Sequence, residues 1–488
     1  MTSLKQETIR GVKWAAIEKI SVRFVQFVIG IILARLLAPS DFGAVGLLGI
    51  FLAISETFVD SGFSMALVRK QDRTEEDCST MFYFSIIVAI VCYCILFAIA
   101  PLVSRFYDLP ILTGLLRVQA IVVVINSFVA VQIAKLTINV DFKALAKVGL
   151  LTSVISGIVG IGMAYAGFGV WSLVAQAICA AFLKTILISF YLKWVPSTKF
   201  SMDSFKNLFS FGGNILGASL LTTIYNYIDS IVIGKFFSPT DFAYYSKGTT
   251  ISRLPVESVN GVLSKVTFPI FSRIQDDDKQ LVSSYRKYIG MTSMVIFFGC
   301  CLMSALAEPL VNFLLTAKWS ESVVYLQIFS FAIMFDHITN INLNLIKVKG
   351  KSDVILKLEI SKRIISFSIL IAAIPFGVIG ICISKVIYTQ IALVINSYWN
   401  GKHLGMGYAS QFKDYVSFLV LSVIACVPAY VITRFDLPSV VTLILGMGIS
   451  CTIYWVMLRN NEHMKSLFQI IAIHFQSNHN EHVVDDVM

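Results

Sequence analysis

Charge is what this sequence has least of. Only 14% of its 488 residues are Asp, Glu, Lys or Arg, against about 25% in an ordinary soluble protein. A water-facing surface cannot be covered from half that supply. No cleavable secretory leader is expected, because the opening dozen residues are polar and the first apolar run is too long and too charged. The nine cysteines sit mostly inside apolar runs (Cys92, Cys94, Cys300, Cys301) and show no disulfide or zinc spacing. They read as small fillers. No P-loop, zinc-protease or kinase signature occurs, so ATP-driven transport by this chain alone is excluded. The stretch "GIVGIG" (157–162) lacks the context of a dinucleotide loop, and its small residues instead let membrane helices approach. His479 and His482 read as part of a polar tail and not as metal ligands.

What is present in abundance is apolar. Hydrophobic residues make up 57% of the chain and the mean hydropathy is +0.78. They come in runs such as "MFYFSIIVAIVCYCILFAIAPLV" (81–103) and "VSFLVLSVIACVPAYVI" (416–432), and roughly 20 such residues cross the hydrocarbon as a helix. The fold class is therefore an all-α polytopic membrane protein. About fourteen spans are expected, at 12–37, 41–67, 79–102, 110–133, 147–166, 168–192, 208–235, 241–268, 288–307, 321–346, 354–375, 376–399, 415–432 and 437–458. With the N-terminus inside, the outer loops hold only Arg35, Arg105, Lys235, Lys318 and Arg434 of the 39 basic residues, and most of the others lie in inner loops. This is the positive-inside pattern. It accounts for the formal charge of +10 without nucleic acid. Both termini are then cytoplasmic, all outer loops are short, and the largest loop, 269–287, is inside.

The stretch "IILARLLAPSDF" (31–42) returns without a gap as "IVIGKFFSPTDF" (231–242). In each copy proline ends a helix, Ser40 or Thr240 is placed to cap the next one, and Asp41 or Asp241 complements its dipole. Further along, "GFGVW" (167–171) is echoed by "PFGVI" (375–379), and "ALVRK" (66–70) by "PIFSR" (269–273). Two six-span lobes, 1–200 and 201–400, are expected to repeat in the same orientation around a central cavity, which is a transporter architecture. Residues 401–460 add a helix pair. The 461–488 segment is a cytoplasmic tail in which "MKSLFQIIAIHF" (464–475) could lie along the interface.

The opening 70 residues resemble bacterial polysaccharide flippases of the multidrug/oligosaccharidyl-lipid/polysaccharide exporter superfamily. The matching features are Gly11, Trp14, "LARLLAPSDFG", "ETFVDSGF" and "ALVRK". The resemblance implies two six-helix bundles with spans 1, 2, 7 and 8 lining the cavity. It also implies alternating access that moves undecaprenyl-diphosphate-linked oligosaccharide to the outer leaflet of a bacterial inner membrane. The expected partners are that lipid-linked oligosaccharide, membrane lipids, and the polymerase and chain-length machinery of surface polysaccharide synthesis, with the chain itself a monomer. A cation-coupled drug exporter of the same superfamily is the alternative. A membrane glycan polymerase or ligase fits less well, since the large outer loop of such enzymes is missing, and the chain is not expected to be an enzyme.

Charges inside spans are costly, about 2.5–3.5 kcal/mol at the bilayer centre, and normally face protein or water. Arg23 lies about 13 Å deeper than Trp14, and Arg253 is similarly deep in span 8, with Glu257 one turn on and Pro255 between them as an expected kink. Glu56 and Asp60 share one face of span 2 at i, i+4. Arg23, Arg253, Glu56 and Glu257 are the candidate substrate-binding groups, because the guanidinium is a fork of donors suited to a diphosphate. Asp60, Asp229, Asp336 and His337 are candidates for coupling to H⁺ or Na⁺; the membrane potential is the other available drive, and no cofactor is called for. The competing reading is internal pairing, Arg253 with Glu257 or Arg23 with Glu56. Lys13 and Lys19 sit nearer the inner face, where they can snorkel.

Overall fold

The computed structural model describes residues 21–60, 62–197, 199–257, 267 and 271–464. Gly11, Lys13, Trp14, Lys19, His479, His482 and the interfacial segment 464–475 beyond its first residue lie outside the described residues. Helix is the only regular structure among the described residues. The chain packs as two compact units, Met1–Ala243 and Tyr244–Met488.

The first unit contains α1 (21–36), α2 (Pro39–Asp60), α3 (Phe63–Arg69), α4 (Glu75–Phe106), α5 (Ile111–Gln119), α6 (Ile121–Ser127), α7 (Ala130–Ile138), α8 (Phe142–Tyr165), α9 (Trp171–Leu192), α10 (Met202–Phe236) and the start of α11 (Pro239–Ser252). The second contains the rest of α11, then α12 (Asp278–Ala305), α13 (Ala307–Leu315), α14 (Ser322–Ile333), α15 (Asp336–Val348), α16 (Ser352–Ala373), α17 (Gly377–Leu404), α18 (Tyr408–Ile432) and α19 (Ser439–Leu458).

The all-helical membrane architecture is borne out, and the count of spans is where structure and expectation differ. Among the described residues ten helical segments are long and apolar enough to cross a membrane, and the pair Ile111–Ser127 and Ala130–Ile138, bent by 42°, makes eleven. One of the ten, Asp353–Leu404, runs for 52 residues, or about 78 Å. That is more than twice the hydrocarbon thickness. It is broken by the short 3₁₀ turn Ile374–Phe376 and by Gly377 at φ 76°, so it divides into α16 and α17. The expected first and eighth spans fall partly outside the described residues. The surface of α4 is typical of bilayer contact: it leaves Ile87, Ile90, Val91, Ile95 and Leu102 exposed, a stripe that water would not tolerate on a monomer.

The repeated hairpin is capped differently from expectation. Pro39 and Pro239 are themselves the first helical residues, a position where the missing N–H costs nothing. The cap therefore falls one residue earlier than Pro, on Ala38 and Ser238, and not on Ser40 and Thr240. Asp41 Oδ2 accepts from the Ala38 N–H at 3.1 Å and Asp241 Oδ2 from the Ser238 N–H at 3.0 Å. Ser238 Oγ also accepts from the Asp241 N–H at 3.1 Å, closing a full capping box; Ala38 has no side chain to do so. The anchors "GFGVW" and "PFGVI" both fall on helix junctions, with Gly169 at φ 54° just before α9 and Gly377 at φ 76° as the first residue of α17. The segment expected as the inner loop, 269–287, is helical from Asp278 onward. Asp277 caps α12 by accepting from the N–H groups of Lys279 and Gln280, each at 3.0 Å.

The lobe boundary expected at residue 200 and the packing boundary after Ala243 are different divisions of the chain. Helix α10 would open the expected second lobe, yet it lies against α2, α3 and α4 in the first unit. Glycine permits this approach. A Cβ at Gly43 would overlap the Pro239 carbonyl, one at Gly46 would sit 2.5 Å from Phe242 Cε1, and one at Gly49 3.1 Å from Tyr227 Cε1. A cluster of Phe63, Leu67, Met81, Val131 and Leu208 joins α3, α4, α7 and α10 below that contact. Gly43→Val is expected to lower the melting temperature in detergent by the equivalent of about 1–3 kcal/mol or more, since backbone and not a side chain must yield. Gly30→Ala, where nothing lies within 4 Å, should melt like wild type or slightly higher; equal melting of the two variants would refute this close-contact account.

Candidate functional site

Glu56 and Asp60 do come together, and the structure adds partners to them. Both line a cavity of about 320 Å³ in the first unit with Ser64, Asn126 and Lys184. Asn126 Nδ2 donates to Glu56 Oε1 at 3.3 Å, and Ser64 Oγ donates to Asp60 Oδ1 at 2.5 Å. The ammonium set against the Glu56 carboxylate is that of Lys184. Helical periodicity aligns the two acids on α2, whereas Asn126 arrives from α6 and Lys184 from α9. Lys184 was legible by the same rule that singled out Glu56, as the one charge in "WSLVAQAICAAFLKTILISFYL" (171–192). Its partner was not.

A second cavity of about 670 Å³ adjoins the first and shares Asn126, Ile133 and Lys184 with it. It lies among α1, α6, α8 and α9, and its hydrogen-bonding groups include Gln26, Thr152, Ser153 and Gln176. Sequence reading missed all four, because uncharged polar residues scattered one or two to a span carry no signal until the helices are assembled. Arg23 is exposed on α1, three residues before Gln26, and Asp229 is half-buried on α10.

The second unit holds the other candidates. Arg253 is exposed where the helical run is interrupted, two residues ahead of Pro255, whose missing N–H cannot bond the Ile251 carbonyl. Arg253 is the cation set against Asp336 at the start of α15. Glu257 is exposed one turn beyond Arg253, and its N–H donates to the Arg253 carbonyl at 2.9 Å. His337 is fully buried, with Nε2 2.9 Å from Ser293 Oγ and its ring 5.5 Å from that of Phe297. The unit also contains a buried amide network that sequence reading saw only as the polar run "NINLN". Asn342 Oδ1 accepts from Tyr285 Oη and Asn400 Nδ2, each at 2.6 Å, and from Gln411 Nε2 at 2.9 Å.

Comparison with known proteins agrees with this architecture. The family model described as "Polysaccharide biosynthesis protein" matches residues 32–324. The teichuronic acid biosynthesis protein TuaB of Bacillus subtilis is 22% identical over 72% of this chain and 74% of its own length. The lipopolysaccharide biosynthesis protein WzxC of Escherichia coli is 21% identical over 88% of both, and the succinoglycan biosynthesis transport protein ExoT of Rhizobium meliloti is 24% identical over 64% of this chain and 63% of its own. Among solved structures, the lipid II flippase MurJ in an inward closed conformation superposes with a TM-score of 0.74 at 12% identity, covering 91% of this chain and 99% of that one. An inward-facing MATE-family multidrug transporter gives 0.57 at 16% identity over 80% of this chain and 98% of its own.

Proposed function

Because the chain belongs to the polysaccharide biosynthesis protein family, whose model covers residues 32–324, we propose that it is a flippase for lipid-linked oligosaccharide in surface polysaccharide synthesis. The family match carries the reading. Its relatives are named for teichuronic acid, lipopolysaccharide and succinoglycan synthesis, and one of them is named a transport protein. The chain moves undecaprenyl-diphosphate-linked glycan from the cytoplasmic to the periplasmic leaflet of a bacterial inner membrane by alternating access, with both termini cytoplasmic. It acts as a transporter and not as an enzyme, and it hands its product to a polymerase and chain-length machinery. In this reading 1–200 and 201–400 work as two repeated lobes, and 401–460 as an added pair.

Arg23 and Arg253 engage the diphosphate, each through a fork of donors. Glu56 and Glu257 balance their charge, and Asp60, Asp229, Asp336 and His337 are the groups available to couple H⁺ or Na⁺ movement. Both arginines are exposed, which supports the assignment, since a charge inside a span is retained only where protein or water receives it. The drug-exporter alternative draws on shared fold alone. A translocation assay tests the reading. Undecaprenyl-diphosphate-linked oligosaccharide placed in the inner leaflet of proteoliposomes should become accessible to an external lectin, and protein-free liposomes should not allow this. Equal accessibility in both would sink the proposal.

A further inference from the structure

We infer that the 670 Å³ cavity of the first unit, lined by Gln26, Thr152, Ser153, Gln176 and Lys184, is where the saccharide part of the substrate is recognised. This rests on the flippase reading and adds to it the chemistry of a subsite. The volume lies within the roughly 300–1,000 Å³ of small-molecule sites. The polar lining includes Gln26 from α1, Asn126 from α6, Thr152 and Ser153 from α8, and Gln176 and Lys184 from α9.

Polar groups inside a membrane bundle are retained where they find partners. Here one partner is missing. Thr152 is 6% exposed, and its Oγ1 has no hydrogen-bond partner among the described residues. The lining amides and hydroxyls both donate and accept, as do the hydroxyl groups of a sugar.

What the lining leaves out narrows the ligand. Among the described residues no carboxylate and no aromatic ring lines this cavity, so they offer neither the anion nor the π face that holds an organic cation. The charged group among them, Lys184, stands at the boundary with the smaller cavity and faces Glu56 there, which balances it. Ala177, Ala180 and Ala181 on α9 supply the room. Gln26 follows Arg23 by three residues, about 4.5 Å along the helix. A diphosphate held by Arg23 therefore brings the directly attached sugar to the polar lining. The match is to a neutral, hydroxyl-rich saccharide.

The test compares two lipids on the full-length protein in nanodiscs: undecaprenyl diphosphate without sugar, and the lipid-linked oligosaccharide extracted from a strain deleted for this gene. Wild type should bind the glycosylated lipid more tightly. Thr152→Val and Gln176→Leu, which keep volume and remove hydrogen bonds, should each weaken that binding about threefold to tenfold and leave the sugar-free lipid unaffected. Ala180→Phe, which fills the space, should weaken it further. Unchanged affinities in Thr152→Val and Gln176→Leu, or a wild type that does not distinguish the two lipids, would overturn the assignment. If Arg23→Ala meanwhile loses both lipids, the flippase reading stands and only the saccharide site falls. A wild type that binds neither lipid brings down the flippase reading itself.

Discussion

Arg23→Ala and Arg253→Ala should each fail to restore surface polysaccharide in a deletion strain while reaching the membrane at wild-type levels. A charge-assisted hydrogen bond is worth about 1.5–3 kcal/mol, so losing one arginine should weaken diphosphate binding about tenfold to a hundredfold or more. Expression should hold because neither side chain is packed in a core: both are exposed. Arg→Lys should rescue only in part, since the ammonium keeps the charge and loses the planar fork. Arg253 is set against Asp336, and Asp336→Asn is expected to leave expression unchanged; a transport loss as large as that of Arg253→Ala would mark Asp336 as a coupling group. Quantified membrane level alongside complementation is the measurement. Full complementation by both alanine variants would reduce these residues to structural charges and remove the diphosphate mechanism.

Asn342→Leu should cost the second unit about 2–4 kcal/mol, read as a lower melting temperature in detergent. The amide of Asn342 is completely buried. Its Oδ1 accepts from Tyr285, Asn400 and Gln411, and its Nδ2 donates to Gln411 Oε1 at 3.0 Å. The four bonds tie α12, α15, α17 and α18. Hydrogen bonds between membrane helices average about 0.6 kcal/mol and reach about 1.7, and a leucine here leaves a phenol and two amides without their acceptor in an apolar setting. Tyr285→Phe removes one donor only and should cost about a third as much. Helix α18 packs along α12 independently of this network, so it should stay docked in both variants. If Asn342→Leu melts with wild type, the network contributes nothing to stability.

Much of this protein follows from its one-dimensional pattern. Runs of twenty apolar residues have one stable form in a bilayer, because backbone groups that water cannot reach must bond within their own segment. That rule yields the helices without any tertiary information. Local chemistry likewise places the hairpin prolines, the Asp41 and Asp241 carboxylates at the helix starts, and the left-handed glycines Gly169 and Gly377 at equivalent junctions. The i, i+4 spacing aligns Glu56 with Asp60, since the helical period alone fixes which side chains share a face. What the period cannot fix is which face of which other helix lies opposite. Asn126 reaches Glu56 across 70 residues of sequence, Lys184 joins from α9, and Asn342 is bonded to residues 57, 58 and 69 positions away. Helix α10 packs in the first unit although the expected second lobe would begin with it. These pairings were decided by shape, by small residues such as Gly43 that let backbones touch and by buried polar groups that had to find one another. Both depend on the summed contacts of several helices and not on any stretch read alone.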